Sequence, residues 1–199
     1  MRPIILALLL ALAGPAIAQS ESGITLYGGY RFGGEFTDVA TDLPWEFTDG
    51  GAFGLALGKG IDPNRQYEFF VSHRNGALKP PGFSAVASNI GLAVTYYHLG
   101  GNWFPQGLGK GPYLAGGLGL THLNPREQGL NSETRFSLSL GFGYMVAAGR
   151  NFGFKLEARG YATIVDSTSA IFCSGGCIVQ VKADTFTQVD LLAGISARF

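Results

Sequence analysis

Charge is what this sequence has least of. Only 14% of its residues are Asp, Glu, Lys or Arg, where a soluble surface carries roughly 25–35%, so the chain lacks the charge to cover a water-facing globule of its size. Basic and acidic residues balance at 14 each, which removes any general attraction to nucleic acid. Cysteine is limited to Cys173 and Cys177, and histidine to His73, His98 and His122. No histidine stands near the CSGGC segment, so a zinc-type ligand set is excluded there. No cofactor or metal is expected.

Long apolar runs are missing as well, with one exception at the start. Arg2 precedes IILALLLALAG, and the small-residue stretch AIA ends at Ala18. This is the pattern of a secretory signal peptide, residues 1–18, cleaved before Gln19. The remaining 19–199 fit one domain. Because Gly, Ser, Thr or a charge interrupts every later apolar stretch, any membrane crossing must be made by strands rather than by helices of about 20 apolar residues. Export also favours a Cys173–Cys177 disulfide.

What the chain does have is alternation. Eight segments, near 23–33, 50–58, 65–75, 87–100, 111–122, 133–147, 151–165 and 184–199, repeat with period two. In NFGFKLEARGYATI, Phe152, Phe154, Leu156, Ala158 and Ile164 share one face, while Lys155, Glu157, Arg159, Tyr161 and Thr163 share the other. ETRFSLSLGFGYMV repeats the arrangement, and Tyr67, Phe69 and Val71 oppose Gln66, Glu68, Phe70 and Ser72. In the fourth segment Ile90, Leu92, Val94 and Tyr96 are assigned to the apolar face, against Thr95 and Tyr97. An even set of antiparallel strands closes without an edge. With about eight strands the bore just accommodates side chains, and facing rows of Phe and Leu would overfill it. The apolar face therefore looks outward into lipid, as in outer-membrane barrels. The expected fold is an all-β, eight-stranded antiparallel up-and-down transmembrane β-barrel.

The shorter links, near 59–64, 101–110 and 148–150, alternate with longer ones near 34–49, 76–86, 123–132 and 166–183. Short turns face the periplasm in such barrels, which places both termini there. Tyr67, Trp103, Phe104, Phe152 and Phe199 are expected in a periplasmic aromatic girdle, and Phe32, Phe36, Trp45 and Phe136 in an outer one.

These strands, the signal peptide, the recurrent GGYRFGG, GFGYM and NFGF pairs and the closing ISARF resemble the eight-stranded barrels of Gram-negative outer membranes, the opacity proteins and the barrel domain of outer membrane protein A. The resemblance implies an outer-membrane location. It also implies that Leu191, Ile195 and Phe199 form the C-terminal signal read by the assembly machinery, with periplasmic chaperones as further partners. Lipid and lipopolysaccharide would surround the barrel, and an extracellular surface ligand is possible at its loops. The same resemblance leaves activity open among tethers, adhesins, narrow pores, solute carriers and lipid-modifying enzymes.

The inward face collects Arg31, Glu68, Arg74, Arg135, Lys155, Glu157, Arg159, Asp190 and Arg198. Ions in a narrow bore persist only if paired or wetted. Two readings follow: a plug of ion pairs, or a narrow gated pore with anion preference. For lipopolysaccharide chemistry, deacylases of this size carry His-x-Ser-Asn, and the run His73-Arg74-Asn75 lacks the serine; interfacial packing is the expected role of each histidine. The first outer loop holds Glu35, Asp38, Asp42, Glu46 and Asp49, with Trp45 and Phe47 as exposed anchors. The reading is thus a non-enzymatic barrel of structural or surface-interaction role. A narrow porin or carrier for small or hydrophobic solutes comes second, and a lipopolysaccharide-modifying enzyme third.

Overall fold

The computed structural model describes residues 22–37, 44–80, 89–127, 129–165 and 185–199. Among the described residues ten strands form: β1 (Ser22–Phe32), β2 (Glu35–Thr37), β3 (Pro44–Phe47), β4 (Gly50–Asp62), β5 (Arg65–Lys79), β6 (Ile90–Trp103), β7 (Gly111–Pro125), β8 (Glu133–Ala148), β9 (Phe152–Ile164) and β10 (Thr185–Arg198). Neighbours run in the order β5-β4-β1-β10-β9-β8-β7-β6, and β6 returns to β5, so eight strands close an antiparallel barrel. Every pairing is antiparallel, and β1 meets β10 directly, Leu26 facing Ile195. The short β2–β3 hairpin extends the outer end of β5 through Glu46 opposite Lys79. It was not anticipated, because three or four residues cannot display a period.

The alternation sorts as lipid demands. Leu140 is 71% exposed and Leu156 64%, while Lys155 and Arg159 between the bulky outward rows are 4% and 2% exposed. That distribution is the inverse of a soluble fold. The described termini and the turns β4–β5, β6–β7 and β8–β9 share one end, the periplasmic one. In the last of these turns Gly149 has φ +84°, a left-handed conformation at which a Cβ is costly.

Strand β6 differs from expectation. Tyr97 and Leu99 face outward at 43% and 68% exposure, whereas Leu92, Val94 and Tyr96 are fully buried in the bore. The face is reversed because the outer third of the bore is itself apolar. Leu92 and Val94 pack there with Phe47, Leu78, Ile90, Leu123, Val165 and Phe186. Three aromatics assigned to exposed positions are also inside. Trp45 and Phe47 of the β2–β3 hairpin are buried in that outer cluster. Phe104 tucks under the periplasmic mouth against Tyr113, Ala115 and Met145, with Leu108 beside it. Tyr67, Trp103, Phe152 and Phe199 do face outward at the periplasmic rim, as do Phe32 and Phe136 at the outer one. Residues 1–18, Asp38, Asp42 and the Cys173–Cys177 pair lie outside the described residues.

Candidate functional site in the bore

Glycine opposite tyrosine makes the bore wide enough for its polar contents. Tyr27 faces Gly194 across the β1–β10 ladder and Tyr113 faces Gly143 across β7–β8. A Cβ on Gly194 would stand 2.6 Å from Tyr27 Cδ1, and one on Gly143 2.5 Å from Tyr113 Cζ. Each ring lies flat over a glycine and points its hydroxyl toward the axis.

Both hydroxyls converge on Glu157 Oε2, Tyr113 at 2.6 Å and Tyr27 at 3.2 Å. Glu157 Oε1 accepts from Arg159 Nε at 2.5 Å, and Arg159 Nη2 donates to Glu68 Oε1 at 2.7 Å. Asn102 Nδ2 holds the other oxygen of Glu68 at 2.6 Å, with Lys155 Nζ at 4.0 Å. Arg159 also stacks 3.8 Å from the centroid of Phe70. Strands β5 and β9 are four places apart in a ring of eight, so Glu68–Arg159 spans the diameter. Two carboxylates and two cations leave this layer electrically neutral.

A second layer lies toward the outer end. Arg31 Nε meets Asp190 Oδ1 at 2.5 Å and Nη2 meets Oδ2 at 2.8 Å, a bidentate pair between directly opposed residues. Asp190 also accepts from Ser72 at 2.9 Å and Tyr161 at 2.8 Å, and Arg31 donates to Ser72. Tyr96 stacks on Tyr161 with ring centroids 4.0 Å apart and donates across the bore to Gln188 at 2.9 Å. The Arg31 guanidinium lies 4.7 Å from the Tyr96 ring, a cation–π contact that offsets part of its desolvation. Between the layers, His98 is bonded through both ring nitrogens to Ser139 and Ser137 of β8, each at 2.8 Å.

Of the nine charges read as lumenal, Glu68, Lys155, Glu157 and Arg159 come together in the first layer, and Arg31 with Asp190 in the second. Arg74 lies farther out, its guanidinium 4.5 Å from the Phe47 ring and 3.5 Å from Thr48 Oγ1. Arg135 pairs with Glu133 on its own strand at 2.8 Å. Arg198 sits at the periplasmic end beside Gly109. Missed were Tyr27, Tyr96, Tyr113, Tyr161, His98, Asn102 and Gln188. Tyr27, Tyr161 and Gln188 share inward parity with Arg31, Arg159 and Asp190 on their own strands, a signal present in the alternation itself, whereas β6 and β7 carry no charge at the parity of Tyr96, His98, Asn102 and Tyr113. A cavity of about 20 Å³ beneath the first layer, touching Glu68, Lys155 and Ser196, has room for about one water.

A closed antiparallel barrel with an apolar exterior and an ion-paired interior defines a membrane-spanning β-barrel. The chain belongs to the family described as outer membrane protein beta-barrel domain, whose model matches residues 4–199, and it is a bacterial outer-membrane protein. No curated protein matches it in sequence. Among solved structures it is similar to Neisserial surface protein A, NspA (13% identity, TM-score 0.58, covering 91% of this chain and 100% of that one). It is also similar to outer membrane protein AlkL, solved in lipid bilayers (13% identity, TM-score 0.58, 94% of each chain). The attachment invasion locus protein Ail of Yersinia pestis, in complex with the heparin analogue sucrose octasulfate, aligns at 15% identity and TM-score 0.50, over 91% of this chain and 99% of that one. At such identities the likeness is one of fold.

Proposed function

We propose that the protein is a non-conducting, non-enzymatic outer-membrane barrel that stiffens the envelope and presents its outward loops to an extracellular ligand. The observation that carries the reading is the Glu68–Arg159–Glu157 triad, which joins opposite walls with every partner at least nine-tenths buried. Ions held this way leave the bore no mobile charge. Phe104 below and the Phe47–Leu92–Phe186 cluster above close on it from both ends. The described Ser–His contacts are those of His98, which is 1% exposed, so no lipid substrate reaches them. The precedent for a surface ligand is Ail with its sulfated sugar analogue.

Within this reading Leu191 and Ile195 on the outward face of β10, with Phe199 just beyond its end, at 50%, 60% and 73% exposure, serve as the assembly signal. Replacing Phe199 with Ser is expected to slow insertion by purified assembly machinery into proteoliposomes; unchanged kinetics would remove that role. Planar-bilayer recording tests the plug. The purified protein is expected to give no single-channel steps, and neutralising Arg159 or Glu157 to introduce them. Regular steps in the native protein would favour the second reading, a narrow pore or carrier. The apolar outer third of the bore is the feature that lends that alternative support, since it would accept a hydrophobic solute before the ion pairs.

A further inference from the structure

At the outer end of β5–β8 the outward face carries a row of polar side chains. His73 on β5 faces Thr95 on β6, Thr95 faces His122 on β7, and His122 faces Thr134 on β8. The next row toward the periplasm, Val71, Tyr97, Leu120 and Phe136, is apolar throughout. Within the polar row the threonines hold the rings: His73 Nδ1 is 2.8 Å from Thr95 Oγ1 and His122 Nδ1 is 3.0 Å from Thr134 Oγ1. That leaves Nε2 of each imidazole as the polar atom available to the outside. Farther out, Arg126 lies along β6, its aliphatic stem 3.3 Å from the Cβ position of Gly91, and donates to Asn75 Oδ1 at 2.6 Å. Gly91 and Ala93 give this corner a shallow floor, and Asn124, opposite Ala93, borders it.

Polar groups facing hydrocarbon are costly unless they find partners. Elsewhere at the outer rim the same face carries Phe32, Phe53 and Val189, with Thr185 and Thr187 of β10, so among the described strands the outward imidazoles are confined to β5–β8. No carboxylate of the four strands shares this face beyond the apolar row; the charge there is Arg126 and, at the end of β5, Lys79, which Glu46 of β3 opposes. Imidazole Nε2 atoms and a guanidinium make a donor set for an oxyanion, and arginine matches phosphate geometry. The outer ends of strands stand at the level of the outer-leaflet headgroups.

We propose that this patch seats a phosphate of the phosphorylated glycolipid of the outer leaflet, with Arg126 and the Nε2 atoms of His73 and His122 as donors. The bound lipid's acyl chains would then lie over Val71, Tyr97 and Leu120, immediately below. The site depends on membrane placement alone and stands whether or not the bore conducts.

The three histidines supply the test. Protein labelled with ¹⁵N at histidine, folded in zwitterionic detergent, is titrated with diphosphorylated lipid A and, separately, with the same lipid dephosphorylated. The Nε2 signals of His73 and His122 are expected to move with the phosphorylated lipid only, while His98, enclosed in the bore, stays as internal reference. Replacing Arg126 and His122 together with Gln is expected to weaken binding by about tenfold or more, the scale of one lost charge-assisted contact. Stationary His73 and His122 signals, equal response to the dephosphorylated lipid, or common movement of all three histidines would overturn the proposal. Should the double variant fail to fold, the titration of the native chain decides.

Discussion

Glu68 on β5 and Arg159 on β9 meet at 2.7 Å across the full width of the barrel. Backbone ladders tie each strand only to its two neighbours; this contact ties opposite walls. Removing one partner strands the other. Arg159→Met leaves Glu68 and Glu157 facing each other in a space without bulk water, and loss of a buried partner costs about 3–5 kcal/mol. The double variant Glu68→Gln with Arg159→Met is expected to lose less than the sum of the singles. Urea titration of refolding into phospholipid vesicles measures all three.

Gly143 is hemmed in by the Tyr113 ring, 2.5 Å from where its Cβ would stand, and by the Leu156 carbonyl oxygen at 2.6 Å. Gly143→Val pushes that ring off the wall and its hydroxyl away from Glu157, and overpacking of this kind costs about 1–3 kcal/mol. Tyr113→Phe keeps the ring and loses the hydroxyl bond to a charged acceptor, about 1.5–3 kcal/mol. In a Tyr113→Ala background Gly143→Val is expected to cost less but not nothing, because a Cβ there also stands 2.6 Å from the Leu156 carbonyl oxygen. The same vesicle refolding assay separates these cases.

The barrel was legible because alternation survives along every long strand, and a one-residue error in face would put Lys155 or Arg159 into lipid. Where the bore itself turns apolar, residue type stops reporting side. Leu92 and Val94 on β6 were assigned to lipid by their chemistry, yet His98 and Asn102 share their parity on the same strand and lie inside. Carrying that parity upward would have corrected the face. Trp45, Phe47 and Phe104 misled for a related reason: an aromatic at a strand end suits an interfacial girdle, and only the path of the following loop decides whether it turns out or in. The ionic pairings depended on which strands stand opposite, a property of closure that no local pattern contains.

Phe104 tests whether the path of the following loop, rather than the strand end, sets the side of an aromatic. It is 1% exposed, stacked against Tyr113 with centroids 4.9 Å apart, and its backbone is tied to Asn64 by N–H to carbonyl contact at 2.7 Å. Phe104→Ala is expected to cost about 3–5 kcal/mol, the range for a buried Phe. A girdle residue would instead lose little, so Trp103→Ala, on the exposed face, is the matched control. Thermal unfolding in detergent should rank the two variants in that order.

Asp62 governs the turn that precedes β5. Its Oδ1 accepts the backbone N–H of Asn64 at 2.9 Å and of Arg65 at 2.8 Å, and Oδ2 accepts Arg65 Nε at 2.6 Å. The Asn64 N–H foremost, then the Arg65 guanidinium, holds this carboxyl below its ordinary value. A carboxylate depressed in the folded state stabilises it above the unfolded value, near 3.9, and loses that contribution as pH falls through the folded value. The advantage of native protein over Asp62→Ala in urea midpoint is therefore expected to be constant from pH 7 to 5 and to shrink below the ordinary carboxylate range. Asp62→Asn, which keeps an amide oxygen for the two N–H groups but no charge for Arg65, should fall between the two at pH 7 and show no such decline. An Asp62→Ala deficit that persists undiminished at the lowest pH would mean that Asp62 supports the turn through contacts that do not depend on its charge.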